Sequence, residues 1–389
     1  MEKESDRGIR RRKKTHVLPA EVIVEILLRL PVKSILRCKC VCKSWLLLIS
    51  DPHFATLHFQ LASARPHRHA LVLIAPSTSQ IRSLDFDASL HRDSASAFLN
   101  PSFLHSNSYH NLQIIGSCRG FLLLNSCQTL WLWNPSTGVH RKIPSSPIES
   151  NGNAMFLTLF YGFGYDPSKD DYLVVKASHN PFSRYIATCV QFFSLRDNAW
   201  RENEASHAAS CLLSYYGSFR GGLFLNGAIH WLGFPSDESI FDVLAFDLTE
   251  WAFSEIPLSV DFVFEGDFEY CDLGLLGELL GLYCVVGCDH SVQVWVMKEY
   301  KVQSSWTKTL VVSLDYIPTG HFFLICSTKD GYIVGTDGRC GLAKCNDKGQ
   351  LLEHRSYCNG LSICNGPSIC NGPCLSEVAV YTESLLSLP

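Results

Sequence analysis

The sequence predicts an all-β body built as a propeller of about six blades, preceded by a small three-helix unit, and three observations predict it. The chain has 389 residues with 26 Gly, 17 Pro, 14 Tyr and 8 Trp but only 18% charged residues, a balance that favours short strands joined by turns. Helical apolar spacing is confined to a short segment near the start. Beyond it, one strand–turn–strand pattern recurs at intervals of about 50 to 60 residues. With 47% hydrophobic residues there is ample material for a core, which excludes disorder of the whole chain.

Residues 1–17 lack apolar periodicity and carry Arg10, Arg11, Arg12, Lys13 and Lys14. They read as a disordered basic tail, with a nuclear-import signal as the functional alternative. At Leu18 the pattern changes. Val22, Ile26 and Leu30 recur at four-residue spacing beside Ile23 and Leu27, with Glu21, Glu25 and Arg29 on the other side, which describes an amphipathic helix. Pro31 stops it, because proline lacks the N–H donor and restricts the residue before it. A short second helix carries Ile35 and Leu36. A third places Val41, Trp45, Leu48 and Ile49 on one stripe until Asp51-Pro52 ends it. So small a unit cannot bury all these apolar groups internally, so some of them meet either the rest of the chain or a partner. Residues 55–69 continue at helical spacing through Leu57 and Leu61, then pass Arg65-Pro66-His67-Arg68 as a hinge.

From Ala70 the period changes to that of strands. WLWNPSTGVHRKIP (131–144), VQFFSLRDNAWREN (190–203), VLAFDLTEWAFSEIP (243–257) and VQVWVMKEYKVQSSW (292–306) share one shape: an apolar strand, a polar turn and a returning strand with an aromatic or basic residue. GLAKCNDKGQLLEH (341–354) and the strands near 71–86 are further candidate members. Ahead of each unit runs a candidate inner strand pair, SCRGFLLL (117–124), YGFGYDPSKDDYLVVK (161–176), GGLFLNGAIHWLG (221–233) and ELLGLYCVVG (278–287). Glycine relieves crowding where strands approach an axis, and Asp166-Pro167 or Asn226-Gly227 supplies the turn. Four strands per unit describe a propeller blade, with a two-sheet sandwich as the alternative architecture. Near the end SYCNGL, SICNGP and SICNGP repeat across 356–374 and read as a low-complexity loop, after which VAVYTESLL (378–386) is placed to return as the ring-closing strand.

The helical segment, residues 18–54, resembles an F-box. Leu18-Pro19, Glu25-Ile26-Leu27, Leu30-Pro31-Val32-Lys33-Ser34, Val41-Cys42-Lys43-Ser44-Trp45 and the closing Ile49 to Phe54 match the motif across its length. The resemblance implies docking onto the Skp adaptor, and through it onto a cullin, in a Skp–cullin–F-box ubiquitin ligase. The candidate adaptor-binding residues are Leu18, Pro19, Ile26, Leu27, Leu30, Pro31, Val41 and Trp45. Trp45 is the foremost hot-spot candidate, or else a tie between the helices.

From roughly residue 70 to 330 the chain resembles the kelch-like F-box-associated interaction domain of plants, and the propeller is expected to span 70–389. The carriers are Gly116-Ser117-Cys118-x-Gly120, Trp133-Asn134-Pro135-Ser136-Thr137, Gly162-Phe163-Gly164-Tyr165-Asp166, Asn226-Gly227-x-x-His230-Trp231, 273–284 and 292–300. Arg119 stands where relatives often have Asn. This resemblance implies a target-recognition module. Its tryptophans, Trp131, Trp133, Trp200, Trp231, Trp251, Trp295 and Trp306, are expected to pack between blades.

Charge narrows the partner. Residues 1–54 hold 12 Lys/Arg against 6 Asp/Glu, which leaves 21 against 31 for the remainder. An acidic body gives no support to nucleic-acid binding and favours a protein target. The most apolar run, Leu273 to Cys288, is broken by Glu278 and flanked by Asp272 and Asp289, so no membrane span is expected. Glu25 and Arg29 argue against a secretory signal, so a cytoplasmic or nuclear chain without disulfides is expected. Among the 17 cysteines, Cys284 and Cys288 beside His290, and Cys340 and Cys345, lack a matching second pair at zinc-finger spacing, and Cys358, Cys364, Cys370 and Cys374 supply no tetrahedral set. No metal or cofactor is expected. His230, His290 and His321 are isolated, and no catalytic motif is present, so the expectation is a non-catalytic receptor. A Skp-binding interaction module without degradation, or a glycan-binding module, is the alternative. Target contacts are expected on 145–156, 177–186, 234–240 and 261–270, the last carrying Asp261, Glu265, Asp267 and Glu269.

Overall fold

A computed structural model of the chain describes residues 18–63, 69–75, 80–85, 87–92, 96–104, 112–147, 158–179, 189–203, 221–233, 242–259, 268–339, 341–357 and 377–388. The basic cluster at 10–14, the Cys-Asn-Gly repeats and most of the four expected target loops lie outside these residues.

Four short helices come first: α1 (Ala20–Leu28), α2 (Val32–Cys38), α3 (Lys43–Ile49) and α4 (Pro52–Ser63). Pro19 and Pro31 occupy the N-cap positions of α1 and α2, and Pro31, in extended conformation, starts α2 as it ends α1. Leu27, Leu28, Ile35, Ile49 and Phe54 meet in one apolar core, with Trp45, Leu48 and Leu57 packed against it. Three helices were expected, with Asp51-Pro52 as a stop and a helical linker over 55–69. The same dipeptide is also a start: Asp51 Oδ1 accepts the His53 amide at 2.7 Å, and Pro52 opens α4, which supplies Phe54 to the core. Buried His58 ties α4 to the end of α1, its Nε2 lying 2.9 Å from the Leu30 carbonyl.

The strands follow in antiparallel fours. After α4 run β1 (His69–Ala75), β2 (Gln80–Leu84) and β3 (Ser96–Leu99), three strands of a blade. Blade one is β4 (Leu112–Cys118), β5 (Phe121–Ser126), β6 (Thr129–Trp133) and β7 (His140–Lys142). Blade two holds β8 (Thr158–Asp166), β9 (Asp171–His179), β10 (Cys189–Ser194) and β11 (Ala199–Asn203), and blade three β12 (Leu223–Leu225), β13 (Ala228–Gly233), β14 (Asp242–Asp247) and β15 (Phe253–Pro257). In blade four the strands are β16 (Phe268–Leu276), β17 (Leu279–Val286), β18 (Ser291–Met297) and β19 (Trp306–Ser313). Blade five contains β20 (Phe323–Ser327), β21 (Ile333–Thr336), β22 (Gly341–Cys345) and β23 (Leu351–Ser356). Finally β24 (Glu377–Thr382) pairs with β1, from His69↔Thr382 to Ile74↔Glu377, and completes the sixth blade. The propeller therefore has six blades, closed by the strand that 378–386 predicted.

Alternating side chains on both sheet faces must be covered, and six apolar clusters do this, one at each blade interface. Trp133, Trp231, Trp295 and Trp306 are buried in them, while Trp131, Trp200 and Trp251 are half-buried at their margins. Near the axis β8 meets Gly222, just ahead of β12, in a bridge with Gly162, and the Gly222 amide donates to the Tyr161 carbonyl at 2.7 Å. A Cβ on Gly221 would lie 1.5 Å from the Ile115 carbonyl oxygen, so the inner strands leave no room for a side chain there. One expected inner pair is placed differently. Residues 279–286 form a single strand, and its partner is β16, because the turn falls at Gly277 with φ +64° rather than inside the 278–287 run.

Candidate functional site

In a meander of four strands, the turns between the first and second and between the third and fourth strands share one face of the ring. The other face carries the second-to-third turns and the connections between blades. The helices sit on the first face. Ala55 of α4 is buried among Cys118, Phe121, Phe163, Tyr172 and Leu195, and Phe59 packs beside it. Arg119 and Gly120 form the β4–β5 turn with φ of +49° and +84°. From this left-handed position the Arg119 guanidinium lies 3.9 Å from the Tyr165 ring centroid and 5.2 Å from that of Phe59, joining propeller to helix by cation–π contacts.

While α4 meets the propeller, large apolar side chains elsewhere in the helical unit stay open. Leu18, Val22, Ile26, Val41, Leu46 and Leu47 are each between 41 and 73% exposed. Leu18, Val22 and Ile26 follow one another at four-residue spacing on and just before α1; Val41, Leu46 and Leu47 come from α3 and the turn ahead of it. Lys33, Arg37 and Lys43 of the same helical unit are exposed as well. Exposed apolar groups gain by being covered, which makes these apolar residues candidates for a contact surface.

Of the eight residues expected there, Leu18, Pro19, Ile26, Pro31 and Val41 are exposed. Leu30 and Trp45 are half-buried against the helical core, which gives Trp45 a structural role alongside any exposed one. Leu27 is fully buried in that core and supports the patch from beneath rather than forming it. Val22, Leu46 and Leu47 complete the exposed face. Their signal was in the sequence: once Trp45, Leu48 and Ile49 are assigned to the core stripe, helical period turns Leu46 and Leu47 outward. Cys42 adjoins Val41 in the open, and hydrogen bonding with Ser44 (Sγ to Oγ 3.1 Å) and the Trp45 amide holds its pKa below the usual thiol range.

On the opposite face the strand ends that bound 145–156, 177–186, 234–240 and 261–270 come together from blades one to four. Asp261, Glu265 and Asp267 lie outside the described residues, and Glu269 is exposed on β16. Tyr316, His290, His321 and Arg339 are exposed on the blade-four and blade-five side of the same face.

Titratable groups inside the blades serve packing. His230 is buried, with Nδ1 3.1 Å from the Leu223 carbonyl and Nε2 2.7 Å from the Tyr300 hydroxyl. A carbonyl only accepts, so Nδ1 carries the proton and Nε2 accepts from Tyr300. Burial, reinforced by Lys301, lowers the His230 pKa to about 4. Burial likewise pushes the Cys118 thiol up to about 12. Among the described residues no three His, Cys, Asp or Glu side chains converge as metal ligands, and no helix is long and apolar enough to cross a membrane. Cys340, Cys358, Cys364, Cys370 and Cys374 lie outside the described residues.

Two family models match the chain: an F-box-like domain over residues 15–60 and an F-box associated beta propeller domain over residues 72–388. The chain is 30% identical over 343 residues to the F-box/kelch-repeat protein At3g23880 of Arabidopsis thaliana, covering 85% of this chain and 88% of that protein. It is 32% identical over 313 residues to F-box protein CPR1 of the same plant, covering 76% of this chain and 73% of that protein.

Proposed function

The chain belongs to the F-box proteins that carry an F-box associated beta propeller domain, and on that premise we propose that it is the target-receptor subunit of a Skp–cullin–F-box ubiquitin ligase. The exposed apolar face of α1 and α3 takes a Skp-family adaptor, and the propeller face turned away from the helices takes a target protein. The chain supplies no reacting group. Its contribution is proximity: it holds target lysines near a ubiquitin-charged conjugating enzyme recruited through the cullin. The observation that carries this reading is the division of labour between faces, since α4 rests on one side of the ring at the junction of blades one and two while apolar side chains of α1 and α3 stay exposed.

The test is co-purification of full-length protein with Skp and cullin. Replacing exposed Ile26 and Val41 by Glu places two charges in the face, where buried apolar anchors carry interface energy of about 2 kcal/mol or more each. We expect Skp affinity to fall by a factor of about 30 or more while the propeller stays folded. Unchanged Skp binding by Ile26→Glu/Val41→Glu would refute the assignment of the face. The same variant keeps the receptor surface but not the ligase, so proximity labelling with it retains targets that the wild type removes. If no protein accumulates on the variant relative to wild type, target delivery is not its task.

A further inference from the structure

Each blade's third strand ends in a turn, and several of these turns are held by a side-chain acceptor at the same place. In blade three Asp247 Oδ1 accepts the amides of Thr249 (2.8 Å) and Glu250 (2.9 Å). In blade one Asn134 Oδ1 does the same for Ser136 (2.9 Å) and Thr137 (3.3 Å). A carboxylate is thus sufficient for this turn, and the amide nitrogen of Asn134 is surplus to it. That nitrogen is used elsewhere. Asn134 is fully buried, and its Nδ2 donates to the Ser384 carbonyl at 3.1 Å and to the Leu386 carbonyl at 3.3 Å, in the segment that follows the ring-closing strand.

That segment touches both parts of the molecule. Ser384 is buried, donates its amide to Ser136 Oγ at 3.2 Å and accepts the Leu386 amide on its own Oγ at 3.0 Å. Leu386 belongs to the apolar cluster that holds Ala55 of α4, and Leu385 packs against both that cluster and the core of the helical unit. Residues 384–388 therefore form a strap, anchored on blade one by the Asn134 amide and pressed onto α4 by leucines.

We infer that Asn134 is a positioning residue: through this strap it sets the angle at which the helices stand on the propeller, and so the direction in which the adaptor-binding face points relative to the target-binding face. The functional half of this inference rests on the receptor reading above; the strap itself does not. Asp at 134 would preserve the turn, as Asp247 shows, but would remove the donor and set a negative charge against two carbonyl oxygens.

Hydrogen exchange on the full-length chain, with and without Skp, tests this with Asn134→Asp. The expected result is exchange about tenfold or more faster in α4 and in 383–388, with β4 to β7 as protected as in wild type and Skp affinity within twofold. Fluorophores placed as non-canonical residues at exposed Lys33 and Lys348 should show a broadened distance distribution in Asn134→Asp and a narrow one in wild type. Unchanged exchange in α4, an unchanged distance distribution, or equal loss of protection throughout blade one would each overturn the inference; the last would make Asn134 a blade residue only. Failure of the wild type to bind Skp would instead remove the receptor reading, and the exchange comparison would still decide the strap.

Discussion

Ile26 and Leu27 are chain neighbours with opposite duties. A turn of 100° per residue points Leu27 into the core and leaves Ile26 on the surface. Leu27→Ala should destabilise the helical unit by about 3 kcal/mol through lost burial and a residual cavity, whereas Ile26→Glu should move stability by less than about 0.5 kcal/mol. Chemical denaturation followed by the α4 signal separates the two. The motif match supplied both residues as contact candidates because a family pattern records which positions matter, while burial records why. Cys42 offers a second check at this scale. It is exposed with a lowered pKa, whereas burial raises Cys118 and Cys326, so iodoacetamide at neutral pH should alkylate Cys42 and leave those two untouched in folded protein. Skp should protect Cys42 if the face beside Val41 is the one it covers, a result readable by mass spectrometry of the labelled peptides.

Elements were legible where one local signal dominated. Outer hairpins such as β6–β7 and β10–β11 announced themselves by strand alternation on both sides of a polar turn. Asn226-Gly227, with φ of +50° and +77°, is the type I′ hairpin its letters describe. The body of the fourth helix showed in the helical spacing of Leu57 and Leu61, but its start did not, since Asp-Pro ends one helix and begins another and only tertiary contact with Phe54 and His58 shows which sense prevails. The first strand of blade four hid for a different reason: Phe268 to Leu276 carries Glu269 and Asp272, and facing the axis excuses it from clean alternation. Element packing also sets a pH response. His230 joins β13 to Tyr300 of the next blade in its neutral form. Unfolded, it titrates near 6.5; folded, near 4; the unfolded chain thus binds the extra proton between these values. Stability from this group is complete above about pH 6.5 and declines as pH falls toward 4, by roughly 3 kcal/mol in all. Urea midpoints at pH 7 and pH 4.5 should differ less in His230→Gln than in wild type.

At the scale of the molecule, the period of the repeat was enough to count blades, because each blade must cover its neighbours and a regular interval is the linear trace of that demand. Which face the helices occupy was not legible. That depends on Arg119 meeting Phe59 and Tyr165, and on an amide reaching a carbonyl 250 residues away, and no local pattern encodes a contact across such a distance. The two family signatures thus marked the parts, and long-range contacts between unremarkable residues set how the parts are joined.

The sixth blade draws one strand from the far end of the chain and three from near its start. During synthesis the four helices and β1 leave the ribosome some three hundred residues before β24 exists, and they wait without the surface on which α4 will rest. The entropy of closing so long a loop grows only slowly with length, but the event is singular: until β24 pairs with β1, the ring is open and Leu385 and Leu386 are not in place. One pairing step therefore closes the propeller and seats the helices together. A nascent or truncated chain can display the apolar side chains of the helices, but not yet on a closed ring.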